Sequence, residues 1–280
     1  MTAAALRHGR GLPFFLLLPA ALVIAIFFGS LAVTGATSFV GPDGSWTARH
    51  YQRFLTDSHF LNYLWWSFRV ALYCTPILGY PFAYVMARAT PKVRLALTLA
   101  LVIQFFTSYI VRTYAFILVL GKQGLINRTL MWMGVLDRPV QLLFQEFAVA
   151  VALVLVPLPF MILPIYSVLK NIEPNLETAA SSLGANRLKV FWFVVFPLSL
   201  PGVIAGIVLV FLFDLTAYIM PAMLGGGYFD MVANAIQEQA MAVFDKPFAS
   251  AISMIVLVIT ALFLYLITLF GSKASGEAHG

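Results

Sequence analysis

Six apolar runs, each long enough to cross a bilayer, constrain this chain more than any other feature. A hydrocarbon core of about 30 Å needs roughly 20 apolar residues in helical form. Residues 12–33, 61–87, 95–120, 142–169, 197–220 and 248–270 meet that length. In lipid, backbone N–H and C=O groups must be satisfied inside the protein, so such runs predict helices. The composition agrees, with 61% hydrophobic and 10% charged residues among 280, and a mean hydropathy of +0.93. No soluble domain hides that much apolar surface. The expectation is an all-α, polytopic bundle of six transmembrane helices forming a single transmembrane domain over residues 1–280.

Prolines interrupt two of the runs: Pro76 and Pro81 in the second, and Pro157, Pro159 and Pro164 in the fourth. Kinked spans are tolerated where neighbours re-satisfy the freed backbone groups. Arg7 and Arg10 precede the first run and small residues follow it at 34–36, as in a secretory signal, but its apolar length exceeds a typical signal core. A cytoplasmic N-terminus puts nine lysines and arginines on inside segments and six on outside loops. The Arg88–Arg94 cluster sits in the short loop that the positive-inside rule weights most. Both termini, and the polar segment at 171–189, are therefore expected in the cytoplasm.

Several function classes find no support. One cysteine, Cys74, excludes an internal disulfide and multi-cysteine zinc sites. The histidines (His8, His50, His59, His279) form no ligand-spaced pair. There is no GxxxxGK[ST] loop, no HExxH and no GxSxG. Gly225–Gly227 lacks the lysine and hydroxyl of a phosphate loop and reads as a turn. The basic balance reports topology, not nucleic acid. Any driving energy comes from a partner or an ion gradient.

The polar segment at 171–189 has the pattern of a helix–turn–helix. Asn175 is a candidate N-cap. Leu176, Ala179, Ala180 and Leu183 recur at helical spacing on one narrow face. Gly184 suits a left-handed helix stop, and Asn186 a second N-cap. A small-residue face on a rigid cytosolic knuckle is a surface on which a soluble motor can push.

This knuckle resembles the EAA loop of the transmembrane subunits of bacterial ABC importers, whose pattern is E-A-A, three residues, G, nine residues, I-x-L-P. Here it falls on Thr178-Ala179-Ala180, Gly184 and Val194-x-Phe196-Pro197, with the spacing kept. Thr178 replaces the glutamate, with an acid one step earlier at Glu177. Pro197–Val203, Ile219–Gly226, Gly124–Asn127 and Tyr109–Tyr114 extend the resemblance to spermidine/putrescine-type permeases, over about residues 50–270. The resemblance implies a coupling loop at about 171–196 that docks on an ATPase through Glu177, Thr178, Ala179, Ala180 and Gly184. It also implies two cytosolic ATPase subunits, a second permease subunit, an extracytoplasmic solute-binding protein and a bacterial inner-membrane location. ATP and Mg would bind at the ATPases and no cofactor at this chain. The implied cargo is a polyamine or a related cation.

Intramembrane charges are costly and usually functional. Asp214 lies 17 residues beyond Pro197, or about 25 Å of helix rise, and Arg112 is equally far beyond Leu95. Arg69 sits at comparable depth. Two readings stay open. Asp214 either attracts a cationic substrate along a pathway with Tyr218, Tyr114 or Trp66 nearby, Arg112 being a further pathway candidate, or it pairs with Arg112 or Arg69, or each charge snorkels to the interface. Gln104, in mid-span, either lines the pathway or bonds a neighbouring helix. Glu146 reads as interfacial. The rival class is an ion-gradient-driven secondary transporter, against which stand the loop spacing and the lack of paired broken helices around ionisable groups.

Overall fold

The computed structural model describes residues 12–41, 43–70 and 75–276, so Cys74, Arg7, Arg10, His8 and His279 lie outside the described residues. The described chain is helical apart from loops and one isolated bridge, Val40 to Trp46. Its helices are α1 (Leu12–Thr37), α2 (Arg49–Thr56), α3 (Ser58–Arg69), α4 (Thr75–Arg88), α5 (Pro91–Phe106), α6 (Tyr109–Leu120), α7 (Leu125–Trp132) and α8 (Glu146–Leu155). They continue with α9 (Leu158–Asn171), α10 (Pro174–Ser182), α11 (Arg187–Val190), α12 (Phe196–Leu215), α13 (Ile219–Gly225), α14 (Val232–Met241) and α15 (Lys246–Gly276). A π-helical segment, Phe191–Val195, joins α11 to α12.

All six apolar runs are helical, but the expectation of one helix per run needs correction. Run three breaks at Thr107 and Ser108, both extended. The Thr107 hydroxyl donates to the Ile103 carbonyl (2.7 Å), local bonding that competes with helix continuation. Run four breaks between α8 and α9 with a 42° bend, because Pro157 and Pro159 remove backbone donors. Run five starts early, inside the knuckle, and its long helix stops at Leu215 before the separate α13. Run two contains the end of α3 and most of α4, with residues 71–74 between them outside the described residues. By length and composition, four described segments can cross a membrane: Leu18–Thr37, Tyr109–Trp132, Arg187–Leu215 and Lys246–Leu269. The bent pair α8–α9 makes a fifth.

α9 occupies the centre, packed between α4 and α12. Met161, Ile162, Ile165 and Leu169 on α9 are all fully buried. Glycines let the neighbours come close. A Cβ on Gly79 would meet Met161 Cγ at 2.5 Å, and one on Gly206 would meet Met161 Sδ at 2.7 Å. A Cβ on Gly202 would lie 2.8 Å from the Pro164 carbonyl oxygen. Small residues at helix contacts matter in lipid because packing, not the hydrophobic effect, drives association there. The Tyr80 and Ser199 hydroxyls bond across the same α4–α12 contact at 2.8 Å. At the other end of the bundle Arg53 pairs with Asp245 (3.1 Å) and stacks on Phe248 (4.0 Å), fixing α2 to the start of α15.

Gly202→Val is expected to lower stability by about 1–3 kcal/mol through overpacking, because its obstacle is backbone. Gly29→Val, where nothing lies within 4 Å, should leave stability unchanged. Thermal unfolding of the detergent-solubilised proteins followed by size-exclusion chromatography compares the two.

Candidate functional site: the α10 knuckle and the Asp214 region

The knuckle is built from local rules. Pro174 sits at the first helical position of α10, where a missing N–H is harmless and the fixed φ is already helical. It starts the helix two residues earlier than expected, so Glu173 is the N-cap and Asn175 lies inside the helix, a correction to the capping assignment. At the other end Gly184 takes φ +87°. The Gly184 N–H bonds to the Ser181 carbonyl (3.0 Å) and the Ala185 N–H to the Ala180 carbonyl (3.1 Å). These two bonds form a Schellman stop. Asn186 Oδ1 then accepts from the Lys189 N–H at 2.8 Å, capping α11 as expected. From there one continuous helix runs Arg187–Leu215, with a π turn closed by the Phe196 N–H on the Phe191 carbonyl. Pro197 cannot donate to Phe193, which favours the wider turn at that point.

The small-residue face divides in two. Leu176, Ala179 and Leu183 are exposed, Leu183 at 89%. Ala180 turns inward and packs, with Ala185, against the cluster of Leu169, Ile172 and Val190. Thr178 and Gly184 are exposed and Glu177 is half-buried. Glu177 forms an ion pair with Arg88, the last residue of α4. The acid beside the motif therefore has a partner in its own chain, which sequence reasoning missed, because 89 residues separate the two. Between α10, α11 and α4 lies an open cavity of about 420 Å³, lined by Tyr84, Glu177, Ser181 and Arg187 among others.

The charges inside the bundle do not form the Asp214–arginine pair of the second reading. Arg69 pairs with Glu146. Arg112 donates to the carbonyls of Gln104 and Thr107 (3.0 Å to Thr107), groups freed by the break between α5 and α6. The Gln104 amide donates to the Leu155 carbonyl. Leu155 would normally bond the N–H four residues on, and that residue is Pro159. Arg112 and Gln104 thus satisfy carbonyls at the backbone breaks. Of the two options for Gln104, the helix-bonding one is realised.

Asp214 pairs with neither arginine. It is fully buried in the last turn of α12, and both carboxylate oxygens lack a hydrogen-bond partner among the described residues. The Tyr109 hydroxyl and the Trp66 indole N–H are buried without partners as well. A cavity of about 230 Å³ lies alongside, lined by Tyr109, Phe213, Thr216, Ala217, Tyr218 and Ile219. Tyr218 is 45% exposed and its carbonyl accepts from Asn234 (2.9 Å), which holds the turn between α12 and α13. Tyr114 is 53% exposed and stands outside this lining. Tyr109 escaped sequence reasoning as a site residue, since nothing in its local pattern distinguishes it from a packing aromatic.

A bundle of four or five membrane-length helical segments with a polar knuckle between α9 and α12 defines a polytopic membrane protein. The chain belongs to the family of binding-protein-dependent transport system inner membrane components, whose model matches residues 8–275. It is 34% identical over 251 residues to the spermidine/putrescine transport system permease protein PotB of Escherichia coli (strain K12), covering 87% of this chain and 91% of that one. The protein of the same name from Haemophilus influenzae is 35% identical over 255 residues, covering 90% and 87%. The fold is shared with a chain of a bacterial ABC transporter involved in the import of the acidic polysaccharide alginate. The TM-score is 0.75 at 15% identity, over 94% of this chain and 95% of that one. The chain is the translocation subunit of an ABC importer in the inner membrane, and the ATPase is a separate subunit. Such permeases work with a substrate-binding protein, and a second solved alginate transporter is in complex with its periplasmic protein.

Two outcomes follow from this geometry. Gly184→Val places a β-branched residue at positive φ, a strain of about 1–3 kcal/mol. Membrane insertion should persist while co-purification of the ATPase and uptake fall together. Gln104→Leu leaves the Leu155 carbonyl unsatisfied, at about 1–3 kcal/mol. A lowered unfolding temperature with unchanged cargo preference is the expected readout.

Proposed function

We propose that this subunit forms the pathway for a polyamine, within an importer of two permease subunits, two cytosolic ATPases that bind ATP and Mg, and an extracytoplasmic binding protein. The observation behind the cargo is the identity of about one residue in three to spermidine/putrescine permeases along nine-tenths of the chain. Both termini and the knuckle are taken as cytoplasmic, on the charge of the Arg88–Arg94 loop.

The exposed stripe of Leu176, Ala179 and Leu183, with Thr178 and Gly184 beside it, is the surface that docks on the ATPase. Apolar side chains that no part of the chain covers are a mark of a partner contact. Ala180 and Glu177 work from the inner side, holding α10 to the core and to α4. When the ATPases close, α10 moves with them. The continuous helix from Arg187 carries that movement about 40 Å, at 1.5 Å per residue, to the Asp214 end. The π turn and Pro197 mark where it can flex. Alternating access is then rigid-body rocking of α4, α9 and α12 together.

In this scheme Glu177 is a positioning residue. Arg88→Glu and Glu177→Arg singly should lower uptake per ATP hydrolysed, and the double exchange should restore it. Normal coupling in both single variants would remove the pair from the mechanism. For the assembly, an ATPase should co-purify with this chain from native membranes, and energised vesicles should accumulate labelled putrescine or spermidine. Uptake that persists without the ATPase and follows an ion gradient would favour a secondary transporter instead.

A further inference from the structure

We infer that Asp214, Tyr109 and Tyr218 form a subsite for a primary ammonium group, and that this subsite is where the pathway grips a cationic cargo. The inference rests on the polyamine reading for its natural ligand, but its structural grounds are separate.

The first ground is the state of Asp214. An ionised carboxylate buried without a partner is among the costliest arrangements a protein can hold. Its place in the last turn of α12 adds to the cost, since the helix C-terminus carries the negative end of the macrodipole. No cation among the described residues offsets this. On α3, α6, α8, α13 and α14 the only arginines or lysines are Arg69 and Arg112. Arg69 is paired with Glu146 and Arg112 with backbone carbonyls. Both oxygens of Asp214 stay unpartnered among the described residues. A buried polar group left open in this way calls for a missing ligand.

The second ground is the surroundings. The Tyr109 hydroxyl is also buried and unpartnered, and its ring lies 6.4 Å from that of Phe213, the residue before Asp214. A cavity of about 230 Å³ is lined by Tyr109 and Tyr218 and by Phe213 and Thr216, which flank Asp214 along α12 and its C-cap. An ammonium group needs acceptors for its three N–H donors and favours aromatic faces around its charge. A carboxylate, a phenol oxygen and three rings supply that set. An anion would find one negative charge and no free cation. The alkyl chain of an amine would lie along the apolar wall of Thr216, Ala217 and Ile219.

The test uses the complete transporter in lipid nanodiscs and proteoliposomes. A membrane-permeant carbodiimide modifies buried carboxyl groups, and mass spectrometry of the Asp214 peptide measures the rate. Butylammonium and putrescine should slow that modification at least about tenfold, as a buried carboxylate with a new counter-charge would; n-butanol and tetramethylammonium should not. In proteoliposomes, Asp214→Asn should raise the ATP hydrolysed per putrescine imported, with ATPase activity retained, and Asp214→Glu should recover part of the coupling. Tyr109→Phe should weaken protection without removing it. Absence of ammonium protection, or protection by high pH alone (a proton site only), overturns the subsite. So does normal coupling in Asp214→Asn. Ammonium protection in a transporter that imports no polyamine would refute the cargo reading and leave the subsite standing.

Discussion

The grip of α4 and α12 on α9 is the contact on which the rest of the molecule depends. Gly79, Gly202 and Gly206 remove the side chains that would hold these helices apart, and Met161 and Pro164 fill the space. Close backbone approach matters here because lipid tails are as apolar as leucine, leaving packing as the main source of helix association. α4 ends at Arg88, which pairs with Glu177 on the knuckle, and α12 continues from the knuckle, so α10 is tied to both flanks of α9.

A second principle governs the broken spans. Prolines and Thr–Ser steps open the backbone of runs three and four, and in a bilayer the freed carbonyls have no water to turn to. The protein repairs them with polar side chains from nearby segments, Gln104 for Leu155 and Arg112 for Gln104 and Thr107. These residues look like pathway groups when read along the chain, since a charge in an apolar run is usually functional. Their bonds show a structural debt being met. Asp214 stands apart because no such bond accounts for it.

Legibility in the sequence followed the range of the interactions concerned. Run positions, the Gly184 stop and the Asn186 cap depend on neighbours within a few residues, and all three appear where local rules put them. Asn175 failed as a cap because Pro174 next to it is the stronger local signal. The breaks at Thr107 and at Leu155–Leu158 were only half legible: the prolines announce a bend, whereas apolar periodicity has no term for the competing Thr107 hydroxyl. The pairing of Arg88 with Glu177 and the orphaning of Tyr109 were not legible at all.

The sequence alone determined that this chain is a helical membrane protein with no GxxxxGK[ST] motif, and that residues 171–189 make a polar knuckle. Both conclusions rest on hydrophobic length and turn chemistry, which are properties of contiguous residues. Only the tertiary structure decided that Ala180 faces inward while Ala179 faces out, that Glu177 is spent on Arg88, and that Asp214 has no cation among the described residues. Those outcomes depend on which of several possible partners lies within about 3 Å, and that distance is set by helix packing across the chain.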